Sequence, residues 1–206
     1  KPLVLKSELR GRRIVDDGPR HWRVEAEAGE NWADFVRWTL AQGLAGLENL
    51  TDIPGTVGAA PVQNIGAYGV ELQDHFDSLD AIDLVTGEAL RLDAVQCGFG
   101  YRDSVFKHAA PAAGGLGLAG RAFITRVRLR LPKAWRPMLG YADLEKKIAE
   151  TGDSTPAPSQ IADWIAEIRR HKLPDWRVLG NAGSFFKNPT VTPDQCEDII
   201  AREPGI

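Results

Sequence analysis

Alternating apolar and polar residues predict strands in several parts of the chain. Residues 22–27 (WRVEAE) and residues 123–131 (FITRVRLRL) both show this alternation. It is typical of a strand with one apolar face and one polar face. Residues 79–85 and 88–92 are separated by a Thr-Gly dipeptide and predict a hairpin. The apolar residues 2–5 predict a further short strand.

Three arginines, Arg126, Arg128 and Arg130, occupy the polar side of the strand at residues 123–131. They predict either a solvated face or a patch that binds phosphate. A run of charges more often forms a solvated face, and the alternation itself leaves both interpretations open.

Helical periodicity appears in segments that carry recognisable end signals. Asn31 predicts an N-cap, because its side chain can accept a hydrogen bond from the first turn, and Gly43 predicts the end of that helix. Pro158 fits the first position of a second helix, and Pro193 that of a third. The apolar stripes are Trp32, Phe35, Val36 and Leu40 in the first helix and Ile161, Trp164, Ile165 and Ile168 in the second. Residues 151–159, rich in Pro, Ser and Thr, predict a linker.

Composition and charge narrow the class of protein. The 206 residues, 43% of them hydrophobic, suffice for one large domain or two small ones. A net charge of −3 and a pI near 5.8 argue against a nucleic-acid partner or an anionic membrane surface. No apolar run approaches a membrane span, and Cys97 and Cys196 match no metal-binding spacing. We therefore expect a cytoplasmic protein that does not insert into a membrane.

Residues 46–68 (GLENLTDIPGTVGAAPVQNIGAY) fit neither the helical nor the strand period. They contain no Lys, Arg or His and are rich in glycine, which allows the backbone to approach another group closely. One interpretation is a backbone cradle whose amides bind a large, partly anionic ligand. The other is a glycine-rich connector within an ordinary domain, and composition alone does not separate the two.

Two further segments carry candidate chemistry. The cations at residues 169–172 (RRHK) end the second helix, where they either complement the helix dipole or bind a phosphorylated or carboxylated substrate. Residues 180–189 (GNAGSFFKNP) form a small-residue turn around Ser184. Because no His is close to Ser184 in the sequence, a hydrolase triad is disfavoured.

Four segments together resemble the UDP-N-acetylenolpyruvoylglucosamine reductase family, whose flavoenzymes make UDP-N-acetylmuramate for peptidoglycan. They are GLENLTDIPGTVGAAPVQNIGAYG, FGYRDSVFK, RRHKLPD and GNAGSFFKNP, in the family's order. Tyr141, in LGYADL, is similar to the subtype with a tyrosine-bearing substrate loop. The resemblance implies an α+β fold. Residues 1–135 would form an FAD-binding domain of the vanillyl-alcohol-oxidase/PCMH type, and residues 136–206 part of an α+β substrate-binding domain.

The resemblance also implies a site for FAD, with NADPH as co-substrate. The side chains of Thr56 and Asn64 would lie against the isoalloxazine and pyrophosphate. The implied contacts are Ile53, Pro54, Gly55, Thr56, Gly58, Ala59, Ala60, Gln63, Asn64, Gly66, Ala67 and Ile124.

The implied substrate is the enolpyruvyl ether of a UDP-sugar. Arg102 would lie at its carboxylate beside the flavin, and Ser184 would donate the proton that completes reduction. The residues implied to bind the UDP-sugar are Tyr141, Arg169, Lys172 and Asn188.

The chain departs from the family pattern at both ends. The family's N-terminal flavin-binding lobe is largely missing ahead of Lys1, and the Glu that acts with the Ser and Arg lies beyond Ile206. We therefore expect a fragment of a longer protein. The alternatives are a different flavoenzyme of the same fold, which RRHKLPD and GSFFKNP disfavour, and a non-catalytic nucleotide-sugar-binding module. A purely structural role would give the glycine-rich segments no purpose.

Overall fold

A computed structural model describes residues 4–110, 116–175, 178–180 and 186–203. These residues form two compact units, Lys1–Lys172 and Leu173–Ile206. The first unit contains the main sheet and four of the helices described below. No helix among the described residues is long and apolar enough to cross a bilayer.

A five-stranded antiparallel sheet organises the first unit, in the order β1-β2-β7-β5-β6. A separate two-stranded ribbon consists of β3 and β4. The strands are β1 Arg12–Asp17, β2 His21–Glu27, β3 Gly66–Ala67, β4 Val70–Glu71, β5 Phe76–Asp83, β6 Ala89–Asp93 and β7 Ala122–Pro132. The predicted hairpin is confirmed, as are the two alternating strands, which pair with Val24 opposite Leu129. Residues 4 and 5 are not in a strand, so the strand predicted at residues 2–5 is wrong for these two residues.

The apolar face of the sheet and helix α1 (Trp32–Ala41) belong to one hydrophobic core. Val24, Val127 and Leu129 are buried there together with Trp32 and Phe35. The predicted N-cap is confirmed, since Asn31 accepts a hydrogen bond from the Asp34 amide at 3.0 Å. Burial of this stripe, rather than helix propensity, supplies most of the stabilisation of such a helix.

The polar face of the sheet carries a network of ion pairs at Arg126 and Arg128, whereas Arg130 is exposed, as the solvated-face interpretation predicts. Arg128, only 8% exposed, donates to Glu25 at 2.7 Å and to Asp80 at 2.6 Å. Arg126 donates to Glu27 at 2.6 Å. Buried charges are tolerated when each is paired and hydrogen-bonded, so these arginines are occupied by cross-strand carboxylates. Neither sequence interpretation anticipated these partners, which come from strands far away in the chain.

The remaining helices lie in different parts of the structure: two form a second apolar cluster, one adds a buried cysteine to the main core, and one is a capped helix of the second unit. They are α2 Ala94–Cys97, α3 Ala142–Thr151, α4 Pro158–Lys172 and α5 Pro193–Arg202. The predicted starts at Pro158 and Pro193 are confirmed, whereas α3 was not predicted. Leu144 of α3 packs with the predicted apolar stripe of α4. Because α3 ends at Thr151 and α4 begins at Pro158, the expected linker is shorter than predicted and covers residues 152–157.

The two cysteines are free and lie in different environments. Cys97 is buried, and burial raises the pKa of its thiol to about 12, whereas Cys196 is exposed. A thiol with so high a pKa is a poor nucleophile at neutral pH.

The ion pair between Asp83 and Arg121 generates a pH-dependent stability prediction. Arg121 donates to both Asp83 carboxylate oxygens at 2.9 Å, and this bonding lowers the pKa of Asp83 to about 2. Because the folded-state pKa lies below the ordinary value of 3.8, the contribution to stability is complete above about pH 4 and is lost as the pH falls toward 2. The difference in urea midpoint between the wild type and Asp83→Asn should shrink over that range. Arg121→Met should reduce this pH dependence but not remove it, since the Val85 amide also donates to the Asp83 carboxylate at 2.9 Å. A difference between wild type and Asp83→Asn that does not vary with pH would contradict the assignment.

Candidate functional site

The glycine-rich segment at residues 46–68 lies against the end of β2. The Val57 amide donates to the Glu30 carbonyl oxygen and the Gly58 amide to that of Ala28, both at 2.9 Å. A Cβ built on Gly58 would lie 2.5 Å from the Ala28 Cβ. The close approach predicted from the glycines is therefore real at Gly58, but its partner there is the strand.

On the other side of this contact, several backbone groups of the segment remain open. The amides of Ile53, Gly55 and Thr56 have no protein acceptor within the described part of the chain. Gly55 has φ +122°, and no atom lies within 4 Å of the position that its Cβ would occupy. Open, successive amides beside a glycine form the type of concavity that binds an anionic group such as a pyrophosphate. This arrangement fits the predicted cradle.

Asn64 shapes the turn that ends the 3-10 helix Val57–Gln63. It adopts φ +44°, is fully buried, and donates to Glu71 Oε2 at 2.9 Å and to the Gly100 carbonyl oxygen at 3.0 Å. Its Oδ1 accepts the Gln73 amide at 3.0 Å. Both amide hydrogens are used within the protein, so the side chain fixes this turn, and its contact with a flavin stays a prediction. Its role is to hold the loop at Gly100 against the glycine-rich segment.

Arg102 lies directly over β3. Its Nη2 donates to the Gly66 carbonyl oxygen at 2.6 Å, and its Nη1 is 3.7 Å from Glu71 Oε1. The Cζ atom is 5.1 Å from the centroid of the Tyr101 ring. A Cβ on Gly66 would lie 2.6 Å from Nη1, so the space above Gly66 is filled by this guanidinium. The predicted cation therefore borders the glycine-rich segment and remains partly exposed, at 30%.

A second group of predicted residues meets around Tyr68, the last residue of the same segment. The Tyr68 and Tyr141 rings pack edge to face with centroids 5.1 Å apart. Lys172 donates to Asp143 at 2.6 Å, which raises the pKa of Lys172. Burial raises the pKa of Tyr68, and the charge of Arg169 acts in the opposite direction. The structure thus brings Tyr141, Arg169 and Lys172 to one place.

Asn49 links this second group to the glycine-rich segment. Its Nδ2 donates to the carbonyl oxygens of Tyr68 at 2.8 Å and Met138 at 2.9 Å. Tyr68 has φ +48°, a conformation that is uncommon for an aromatic residue. Asn49 therefore fixes the backbone on both sides of the paired tyrosine rings.

The other predicted residues differ in their environments. Ile124 and Ala60 are buried, whereas Pro54, Ala59 and Gln63 are exposed. Ile53, Thr56 and Ala67 are partly exposed. Asn188 is exposed in the second unit, and Ser184 lies outside the described residues.

Sequence reasoning missed Glu71 and Asp143. Glu71 contacts both Asn64 and Arg102, and Asp143 pairs with Lys172. One signal could have identified Glu71, since it is the first charged residue after Asp52 in a long uncharged run. Asp143 carries no comparable signal in the sequence.

Comparison with known proteins gives three findings. A family model described as FAD binding domain matches residues 3–93. A protein from Burkholderia multivorans is 54% identical over 99% of this chain and 57% of its own length, and one from Azoarcus sp. is 55% identical over 98% and 56%. Both are named UDP-N-acetylenolpyruvoylglucosamine reductase. The crystal structure of the enzyme of that type (MurB) from Thermus caldophilus covers 83% of this chain and 51% of its own, with 25% identity and a TM-score of 0.50.

These findings confirm the resemblance and the α+β fold with an FAD-binding domain. The chain spans little more than half the length of the curated relatives that it matches. The aligned region, 54–55% identical overall, covers nearly the whole chain and so includes all four sequence segments.

The close contact at Gly58 generates a stability prediction. Gly58→Ala should destabilise the protein by about 1–3 kcal/mol, because the new methyl group overpacks against Ala28. Gly140→Ala is the matched control, since no atom lies within 4 Å of its Cβ position. Urea unfolding of both variants measures the difference. Equal and small losses of unfolding free energy in Gly58→Ala and Gly140→Ala would show that the segment does not contact the end of β2 as described.

Proposed function

We propose that this chain forms the flavin-binding part of a UDP-N-acetylenolpyruvoylglucosamine reductase. The premise is its similarity to these enzymes along almost its whole length. The reaction is the NADPH-dependent reduction of UDP-N-acetylenolpyruvoylglucosamine to UDP-N-acetylmuramate, a step in peptidoglycan precursor synthesis. The observation that carries the proposal is the juxtaposition of open backbone amides and the Arg102 guanidinium on one glycine-rich segment.

The chain's own residues would hold FAD mainly through backbone. The amides of Ile53, Gly55 and Thr56 are suited to the pyrophosphate, and Gly55 leaves room for it to approach. Asn64 and Gly58 would support FAD binding indirectly. Asn64 fixes the shape of the segment, and Gly58 fixes its position on the sheet. When bound, the flavin supplies the hydride chemistry between NADPH and the enolpyruvyl carbon.

Arg102 would stabilise the substrate's carboxylate. Reduction of the enolpyruvyl double bond places negative charge next to that carboxylate, and a fixed cation stabilises the charge as it develops. Arginine suits the task since it cannot lose its proton and offers a planar set of donors that matches a carboxylate. Its contact with the Gly66 carbonyl oxygen would hold the guanidinium in place before the substrate arrives.

Ser184 would complete the reaction by donating a proton to the substrate carbon next to the carboxylate. This role rests on the resemblance of GNAGSFFKNP to the family motif. A serine hydroxyl is a weak acid, so it serves only where the carbanionic carbon is far more basic and is held within reach.

Tyr141, Arg169, Lys172 and Asn188 would bind the UDP part of the substrate. The first three lie together at the end of α4, where positive charge from Arg169 and Lys172 suits a diphosphate. Lys172 is paired with Asp143 at 2.6 Å. A diphosphate would therefore compete with Asp143 for the Lys172 ammonium group.

The visible spectrum of the purified full-length protein tests the proposal. We expect flavin bands that bleach when NADPH is added and return when the enolpyruvyl substrate is added. Flavin bands that return with oxygen but not with the enolpyruvyl substrate would indicate a different flavoenzyme. A colourless protein that binds UDP-sugars would indicate a non-catalytic binding module.

The open space at Gly55 generates a prediction about the cofactor. Gly55→Val should reduce bound FAD strongly, because a branched side chain would fill the space assigned to the cofactor. Gly87→Val is the matched control, since Gly87 also has positive φ (+75°) and open space but lies in the β5–β6 turn. Since both variants place Val at a positive φ, the flavin-to-protein absorbance ratio separates the cofactor effect from the general effect of that substitution. Equal flavin content in the two variants would contradict the assigned position of the cradle.

Ser184 generates a prediction about one half of the catalytic cycle. Ser184→Ala should leave FAD content and flavin reduction by NADPH nearly intact, while reoxidation by the enolpyruvyl substrate falls by about 10²–10⁴-fold. Ser184→Cys keeps a transferable proton and should recover part of the rate. Rapid-mixing absorbance at the flavin band measures each half separately. Reoxidation of the alanine variant at the wild-type rate would rule out the proton-donor role.

A further inference from the structure

The carboxylate of Glu71 stands beside Arg102, and its position is fixed from several directions. Its Oε2 accepts from Asn64 Nδ2 at 2.9 Å and from Gln73 Nε2 at 2.7 Å. The Glu71 amide donates to Asp74 Oδ2 at 2.8 Å, which completes a capping box at the end of β4. With Oε2 held in this way, Oε1 is left 3.7 Å from Arg102 Nη1.

Arg102, by contrast, has few contacts that fix its guanidinium. Nη2 has one acceptor, the Gly66 carbonyl oxygen. Nη1 is buried and has no hydrogen-bond partner within the described residues. The backbone at Arg102 has φ +55°, an unfavourable conformation for a long side chain. The guanidinium is therefore held by Gly66, by the Tyr101 ring and by the charge of Glu71.

The separation of 3.7 Å is too long for a hydrogen bond but short for two opposite charges in a partly buried place. An attraction of this kind orients the guanidinium without occupying its donors. Gly66 contributes to the same arrangement, because a Cβ there would lie 2.6 Å from Nη1 and 3.0 Å from the Glu71 Cγ. Gly66 and Glu71 are also direct partners in the β3–β4 ribbon.

We propose that Glu71 is a positioning residue for Arg102. Its carboxylate, fixed by Asn64 and Gln73, holds the guanidinium over Gly66 in the orientation that suits the substrate's carboxylate. Glu71 acts through Arg102 and does not contact the substrate. The inference rests on the proposed function, and it assigns a role to a residue whose partners lie in three separate parts of the sequence.

Glu71→Gln is the variant that isolates the charge. Its amide oxygen can accept the same two hydrogen bonds at the Oε2 position, while an amide NH₂ replaces the charged oxygen near Arg102. We expect reoxidation of the flavin by the enolpyruvyl substrate to fall by about 10²-fold, as for an active group displaced by roughly 1 Å. Flavin reduction by NADPH should fall much less. Glu88→Gln, an exposed carboxylate on the β5–β6 hairpin, is the control and should change neither half of the cycle.

The Arg102→Ala background distinguishes positioning from an independent role. If Glu71 acts only through Arg102, then Glu71→Gln should cause no further loss of reoxidation rate in Arg102→Ala. Multiplication of the two losses would overturn the proposal, as would equal damage by Glu71→Gln to both halves of the cycle in the wild-type background.

A measurement without flavin or substrate gives an independent test. Urea midpoints of the flavin-free wild type, Glu71→Gln, Arg102→Ala and the double variant form a cycle. We expect the changes in urea midpoint caused by Glu71→Gln and Arg102→Ala to be non-additive. The changes caused by Glu88→Gln and Arg102→Ala should be additive. Additivity for Glu71 and Arg102 would show that the carboxylate does not hold the guanidinium. If the wild type fails to reduce the enolpyruvyl substrate, the proposed function fails, and this cycle still decides whether Glu71 positions Arg102.

Discussion

The contact between Gly58 and Ala28 is the constraint on which the candidate site depends. Without a Cβ at residue 58, the glycine-rich segment lies directly on the end of β2, and the two backbone hydrogen bonds to Ala28 and Glu30 can form. With one side of the segment fixed in this way, the amides near Gly55 are left without protein acceptors. The sheet thus presents a shaped piece of backbone, and such preorganisation lowers the cost of binding a ligand.

From that contact, a short series of polar interactions leads to Arg102. Asn64 adopts a left-handed turn and binds both the Gly100 carbonyl oxygen and Glu71. Gly100 begins the loop that carries Arg102, and Glu71 faces the guanidinium. The position of the cation is therefore coupled to the shape of the cradle through buried hydrogen bonds. Polar groups in such networks are costly to leave unpaired, so each one constrains its neighbours.

Much of the secondary structure could be predicted, because strand alternation and helix capping depend on residues only a few positions apart in the sequence. Alternation identified β2 and β7, and capping residues located the starts of α1, α4 and α5. Helix α3 was missed because its N-cap, Tyr141, makes no side-chain capping bond and Leu144 alone is fully buried.

Long-range partners explain what sequence reasoning could not predict. Arg128 is paired with Glu25 and Asp80, the space above Gly66 is filled by Arg102, and the Asn64 amide donates to Glu71 and to the Gly100 carbonyl oxygen. A glycine indicates that something approaches closely, but the sequence does not say whether a strand, a side chain or a cofactor does so. The family resemblance identified the candidate residues, whereas their physical roles depend on contacts between distant segments.

The most direct test of this account is a comparison of FAD and riboflavin binding to the flavin-free protein by fluorescence titration. If the open amides of the glycine-rich segment bind a pyrophosphate, FAD should bind at least about 10²-fold more tightly than riboflavin, since riboflavin lacks the pyrophosphate, and with it the adenosine, and so loses these charge-assisted hydrogen bonds. Equal affinity for the two would contradict the central claim that this backbone is a preformed cradle for the anionic part of the cofactor.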